Sequence, residues 1–373
     1  MRLRVLGVLV AGVVVGCGGG PAAAPGGSGP AAAPDSAVTA VTSAPVPAAR
    51  DPLSWPFETG SIWNTPLGAG ATLRSADLTP PKVDLDIDRL IVTTAADPLT
   101  PTYLEPTFGP GRCAGTTPQP LAGRTPSLGD PIHVPTAFVL PDATATPYST
   151  PNNATAFLDP DGHTLHQFDV TARCTAGGPL YGFRVADTDI RGDGRLGGHL
   201  GSGLSSIGGD IRTGELTGQQ PLDHALKIDV DEAALSYAAG SATPGYRWPA
   251  IFADSYAPKS YTGTDPSLVM GSLLAVPAGV TARSLGLQTA AGVRLLDALQ
   301  HYGAYIADTT GSVDASLCVA ADTVPEVDAQ GAPLQTDLVR LMRALSVVTD
   351  DGPDAIGGPG RRLAPPAPPL AAP

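Results

Sequence analysis

His199, Asp210, Arg212, Glu215 and His224 fall within one stretch, residues 187–229, in which ten glycines lie between Gly192 and Gly218. Imidazoles move protons near neutral pH or bind metal, and carboxyl groups cleave glycosidic bonds in pairs, one protonated and one ionised. Glycine at this density lets backbone pass close to a ligand or to the rest of the chain. No one reaction follows from the stretch. For hydrolysis the expected carboxyl groups are Glu215 with Asp210 or Asp254, oriented by His199 and His224, with Asp254 and Asp308 as a further possible pair. Glu215 is the one glutamate of five that lies inside the dense stretch. For β-elimination on a uronate polymer a histidine or Tyr256 would be the base, and Arg212 or Arg247 would neutralise the substrate carboxylate. Structural roles cover the same residues: a loop histidine at 199, a backbone-bonded histidine at 224, and a Glu215 paired with Arg212.

Tyr246, Arg247, Trp248 and Pro249, followed by Asp254, Tyr256 and Tyr261, gather rings and polar groups in a chain with 5% aromatic residues. Flat rings match the C–H faces of sugars, while carboxylate and guanidinium groups take their hydroxyls. Arg212, Arg247, Trp248 and Tyr256 are the expected substrate-binding residues, the alternative being a core Trp248 with Arg247 stacked on it. Trp55 and Trp63 read as core.

Asp187, Asp189 and Asp193 alternate through DTDIRGDG as in the start of a calcium loop, but the closing glutamate is missing and Arg191 stands where a ligand belongs. A solvated acidic turn is the preferred reading of the three, and no other cofactor is expected. Ser202 lacks the glycines of a nucleophile elbow, because its flanking positions are Leu200 and Leu204. P-loop and dinucleotide fingerprints are absent, and no Cys or His pair has zinc-knuckle spacing.

The elements that must position these groups begin after a leader. Arg2 and Arg4 precede an apolar run, residues 5–16, that closes on Val14, Val15, Gly16 and Cys17. The run is too short to span a bilayer and has the layout of a secretory signal. Its last four residues resemble the lipobox of bacterial lipoprotein signals, which implies cleavage before Cys17, lipidation of its thiol and an extracytoplasmic location on a bacterial membrane. An ordinary signal with an incidental cysteine is the alternative. Residues 1–16 are thus the signal, 17–50 an Ala/Pro/Gly/Ser-rich tether, 51–349 a single β-rich body, and 350–373 a disordered Pro-rich tail. The net charge is −13, and −15 once Arg2 and Arg4 leave with the leader, which argues against nucleic acid; the expected partners are polysaccharide or another glycan, from the aromatic and polar cluster, and the membrane, through the anchor. Export permits disulfides: Cys113 and Cys174 sit in loop-like settings and are the preferred pair, with Cys318 as a buried thiol, although spacing does not fix connectivity.

Short runs rich in β-branched or aromatic residues, at 85–92, 138–140, 154–158, 164–171, 181–185, 225–230 and 273–276, read as strands bounded by turns. Asp159-Pro160-Asp161-Gly162 predicts a hairpin over residues 157–168. Strands without helices between them predict an antiparallel β-sandwich of jelly-roll or concanavalin-like type. Two peripheral helices complete it. One runs from Thr289 to about Tyr302 with Gly303 as its stop, and one starts near Thr336 with Leu338, Leu341, Met342 and Leu345 on one face.

Five segments, Gly60-Ser61-Ile62-Trp63-Asn64, SGLSSIGGDIRTGEL at 202–216, HALKI at 224–228, YRWPA at 246–250 and YGAYIAD at 302–308, resemble a family of secreted and lipid-anchored bacterial proteins. The resemblance covers most of residues 55–348. It implies an all-β extracytoplasmic body in a glycan-related setting, and it brings no activity with it.

Overall fold

The computed structural model describes residues 45–104, 113, 119–120, 130–140 and 152–372. The leader, Cys17 and most of the tether lie outside them.

The Asp159 to Gly162 turn joins β7 (Thr155–Leu158) to β8 (Thr164–Ala172), with Leu158 opposite Leu165. The Asp161 carboxylate accepts the His163 and Thr164 N–H groups at 2.7 and 2.8 Å, and Gly162 takes the left-handed φ of 74° that the turn requires. β8 continues antiparallel to β9 (Leu180–Asp189). To this point the chain follows the hairpin logic of its sequence.

Beyond it the antiparallel sandwich is overturned. The strands β1 (Leu73–Ser75), β2 (Val83–Val92), β4 (Thr102–Leu104), β5 (Gln119–Pro120), β10 (Leu226–Val230), β11 (Leu273–Ala275), β12 (Ala304–Thr309), β13 (Ala315–Ala320) and β14 (Ser346–Val348) join β7, β8 and β9 in one 12-stranded mixed sheet. Its order is β1-β14-β11-β12-β10-β13-β2-β7-β8-β9-β4-β5. The pairs β10 with β12, β13 with β2, β2 with β7 and β4 with β9 are parallel. A separate two-stranded ribbon joins β3 (Leu99–Thr100) to β6 (Ile132–His133). Parallel neighbours need long crossovers, normally helices. The β10 to β12 connection does carry helices, in the segment between Val230 and Ala304, while the glycine-rich stretch carries the chain from β9, on one side of the sheet, to β10, which is not its neighbour.

α1 (Ala257–Ser260) and α2 (Ala282–Leu285) are single turns. α3 (Ala290–His301) starts on Thr289, whose side chain accepts the Gly292 N–H at 2.8 Å. α4 (Val324–Arg343) begins 12 residues before Thr336, because its first half, broken at Gly331 (φ 62°) and carrying Pro333, has too few apolar residues to show a stripe. Leu295 and Leu299 of α3 and Leu338, Leu341 and Met342 of α4 pack on Leu226, Ile228, Leu274, Ile306 and Leu317, filling one face of the sheet.

On the other face, Trp63 stands edge-on to Tyr305 with ring centroids 5.6 Å apart and donates its indole N–H to the Gly194 carbonyl at 2.7 Å. Residues 350–372, read as a disordered tail, lie along the body instead. Arg50 donates to the carbonyls of Trp55, Phe57 and Pro368, and Ala371 N–H returns to the Arg50 carbonyl at 2.7 Å. Cys113 and Cys174 form a disulfide with Cα atoms 5.2 Å apart, and Cys318 is free and buried.

A buried polar face and the cavity beside it

Alternation along a strand places every second side chain on the same face. In β2 that rule sets Asp84, Asp86 and Asp88 together, with Leu85 and Ile87 turned to the helices. In β10 it sets Lys227 with Asp229, while Leu226, Ile228 and Val230 join the helix-side core. Cys318 of β13 is in register with Asp86. β12 breaks the rule usefully: its pairing with β10 slips between Ile306 and Asp308, so Asp308 comes opposite Asp229.

Such a face would ordinarily meet water. Here the glycine-rich stretch lies on it, through Lys227 N–H to the Gly209 carbonyl (2.9 Å), the Ile211 to Val319 bridge, and Leu200 N–H to the Asp169 carboxylate (2.9 Å). The approach is close enough that a Cβ on Gly201 would fall on the Asp308 carboxylate, and one on Gly209 (φ 77°) on the Trp63 ring. This covering chain inserts His199 and Asp210 among the strand residues.

Lys227 is fully buried and donates to the carbonyls of Ser205 (3.0 Å) and Ser206 (2.8 Å), with Asp88 Oδ2 at 2.8 Å and Asp210 Oδ1 at 2.9 Å. Burial works against its charge, but Asp210 and Asp88 outweigh it and raise the ammonium pKa. Burial likewise opposes Asp88, which Lys227 and His199 nevertheless hold below the usual carboxylate range. One ammonium cannot keep both neighbours ionised, and burial drives Asp210 well up. His199 Nε2 lies 3.4 Å from Asp88 and Nδ1 3.8 Å from Asp308; against burial and Lys227, these carboxylates raise the imidazole well above its ordinary value. Burial and Asp88 push Asp86 to about 6, burial and Asp308 push Asp169 to about 7, and burial with Asp86 pushes Asp229 well up. Burial, then Asp229, raises the Cys318 thiol.

This face opens at Asp308. A cavity of about 640 Å³ is bordered by Asp308 and Thr309 of β12, by Asn152 and Leu200, and by Phe252, Asp254 and Tyr256 before and at α1. Asp308 accepts the Asn152 amide at 3.1 Å and the Thr309 N–H at 2.7 Å. Asp254 accepts the Tyr261 hydroxyl at 2.7 Å and that of Thr309 at 3.3 Å, while Thr309 also contacts the Tyr256 hydroxyl at 2.8 Å. Burial and the nearby Asp308 raise Asp254 to about 6. A second cavity, about 520 Å³, is bordered by Asp210, Arg212 and Arg89.

The residues singled out in the sequence therefore divide. Asp254 and Tyr256 border the larger cavity; His199 is sealed in the polar face, and Asp210, almost fully buried, lies between that face and the second cavity. Glu215 and His224 pair elsewhere, buried: His224 Nε2 lies 3.0 Å from Glu215, its Nδ1 2.9 Å from the Ala225 carbonyl, and Glu215 accepts the Arg212 N–H at 2.7 Å. Arg247 donates to the carbonyls of Thr349 and Asp351, and Trp248 packs against the Trp63 cluster. Asp187 is paired with Arg184 and His166, whereas Asp189 and Asp193 accept the N–H groups of Arg191 and Arg195 two residues on. The three have separate partners.

Asp86, Asp88, Asp169, Lys227 and Asp229 are not singled out by the sequence, and Cys318 is singled out only as a buried thiol. LDIDR and LKIDV carried a signal, charged residues at period two inside runs otherwise fit for a core, but that signal also describes a strand with one wet face. Among the described residues, Asp86, Asp88, His199 and Cys318 bring four ligand atoms within 4.8 Å of one another. No protein family, curated protein or solved structure matches the chain.

Proposed function

We propose that the chain hydrolyses glycosidic bonds in the larger cavity, with Asp254 as proton donor and Asp308 as the carboxylate at the anomeric carbon. One observation carries this: two carboxyl groups with contrasting partners border a single cavity of about 640 Å³, a size suited to a small ligand or a short stretch of polymer. Asp254, set against the Tyr261 hydroxyl, gives its proton to the leaving oxygen as the C–O bond breaks onto that oxygen. Asp308, held by Asn152 and Thr309, either bonds to the anomeric carbon or takes a proton from the attacking water. Tyr256 and Phe252 supply the flat surfaces a sugar ring packs on.

Hydrolysis is favoured over β-elimination because neither histidine named as a base borders the cavity, both being buried, and burial raises the Tyr256 phenol. An extracytoplasmic setting, with the chain tethered through a lipidated Cys17, accords with the Cys113–Cys174 disulfide and with polysaccharide as partner.

The test is a product assay of the purified chain on neutral and uronate polysaccharides. New reducing ends without unsaturated-uronate absorbance, lost in both Asp254→Asn and Asp308→Asn, support the proposal. Reducing ends with that absorbance would mean a lyase. Retention of a polymer on the protein without any product would make it a glycan-binding surface protein.

A further inference from the structure

Behind Asp308, and independent of whether the cavity cleaves sugars, the structure assigns a site for one divalent transition-metal ion of the zinc class to Asp86, Asp88, His199 and Cys318. The four ligand atoms come from β2, β13 and the glycine-rich stretch and lie within 4.8 Å of one another. A tetrahedral zinc with bonds of about 2.0–2.3 Å needs ligand separations of roughly 3.3–3.8 Å. His199 Nε2 already stands 3.4 Å from the Asp88 carboxylate, measured to Oδ2, the oxygen that Lys227 holds, which leaves Oδ1 as the oxygen for an ion. Imidazole, thiolate and carboxylate together are a borderline-soft set, which suits zinc or cobalt and not calcium or magnesium.

Two further features point to a cation. Asp88 is fully buried and its Oδ2 is held by Lys227, yet its Oδ1 has no hydrogen-bond partner. A buried carboxylate oxygen without a donor is an uncommon and unfavourable arrangement that a metal bond relieves. Asp308 stands 3.8 Å from the far nitrogen of His199, which has no hydrogen-bond partner among the described residues, on the side where an outer carboxylate orients a metal-bound histidine. Charge argues the same way: Asp86, Asp88, Asp169, Asp210, Asp229 and Asp308 face two cationic side chains, Lys227 and His199. Asp86 alone among the four ligand residues is half-buried rather than buried.

On binding, the ion replaces the Cys318 thiol proton and the His199 Nε2 proton, both released to solvent, and the thiolate sulfur and imidazole nitrogen donate their electron pairs to the metal. No change of oxidation state is involved. The ion would pin the covering chain to β2 and β13 and hold His199 against Asp308. No local sequence spacing announces the site, because tertiary structure alone assembles it.

The test uses the full chain, stripped with chelator and titrated with Zn²⁺ or Co²⁺, read by metal analysis after gel filtration and by absorption. The expected result is one equivalent retained, a tetrahedral Co²⁺ spectrum with a thiolate-to-cobalt band, loss of that band in Cys318→Ser, and at least about 10-fold weaker binding in Asp86→Asn. Asp193→Asn, in an exposed turn, should bind as the parent does. A parent that retains no metal, or whose Co²⁺ spectrum lacks the thiolate band, overturns the assignment without recourse to any variant. Equal binding in the parent and Asp86→Asn overturns it too. None of these readouts depends on cleavage of a polysaccharide.

Discussion

Asp229 and Asp308 stand opposite each other across the parallel strands β10 and β12, and they do so because the register slips after Ile306. Without that bulge Asp308 would follow Ile306 toward the helices and away from His199 and the cavity.

Lys227 compensates the charge on this face, with Asp88 and Asp210 both within 2.9 Å of its ammonium. Lys227→Met should destabilise the chain by about 3–5 kcal/mol, since it leaves buried carboxyl groups without their cation. Urea unfolding checks this as a lower midpoint with an unchanged slope.

Asp254 titrates near 6 because burial, and then Asp308, disfavour its charge; the Tyr261, Tyr256 and Thr309 hydroxyls around it oppose that shift. A carboxyl whose folded value lies above its unfolded value binds more protons when folded, so it contributes stability that is lost as pH rises from about 4 through about 6. Asp254→Asn should flatten that part of the parent's stability curve. If Asp254 is the proton donor, cleavage should also fall as pH rises through about 6, and the variant should lose most activity at every pH.

Gly201 lies so close to Asp308 that an added methyl must displace the carboxylate. Gly201→Ala should reduce cleavage by on the order of 100-fold through misplacement of about 1 Å. Circular dichroism should show the fold retained. Full activity in a folded variant would remove Asp308 from the reaction.

Cys113 and Cys174 are 61 residues apart in sequence, and Cys174 packs with Leu140, Ala172 and Tyr181. Closing a loop of that length stabilises by about 4 kcal/mol in the chain-entropy picture. Reduction, or the double serine variant, should therefore lower the melting temperature. Identical melting with and without reductant would show that the loop contributes nothing to folding.

Local interactions made much of the chain legible in advance. Thr289 begins α3 because a hydroxyl can take a free N–H of the first turn, and residues 159–162 form a turn because Asp161 and Gly162 suit one wherever they occur. Period two also says correctly that Asp86 and Asp88, or Lys227 and Asp229, share a face. What period two leaves open is whether that face meets water, since the answer lies in a segment more than 100 residues from β2: His199 and the glycines around it. Strand order is likewise non-local, because β2 enters between β13 and β7 and no short-range pattern encodes its neighbours. Sequence alone thus determined turns, caps and the sidedness of strands, which depend on residues a few positions apart. Tertiary structure decided the mixed sheet, the burial of its charged face and the meeting of Asp254 with Asp308, because each requires a distant segment to displace solvent.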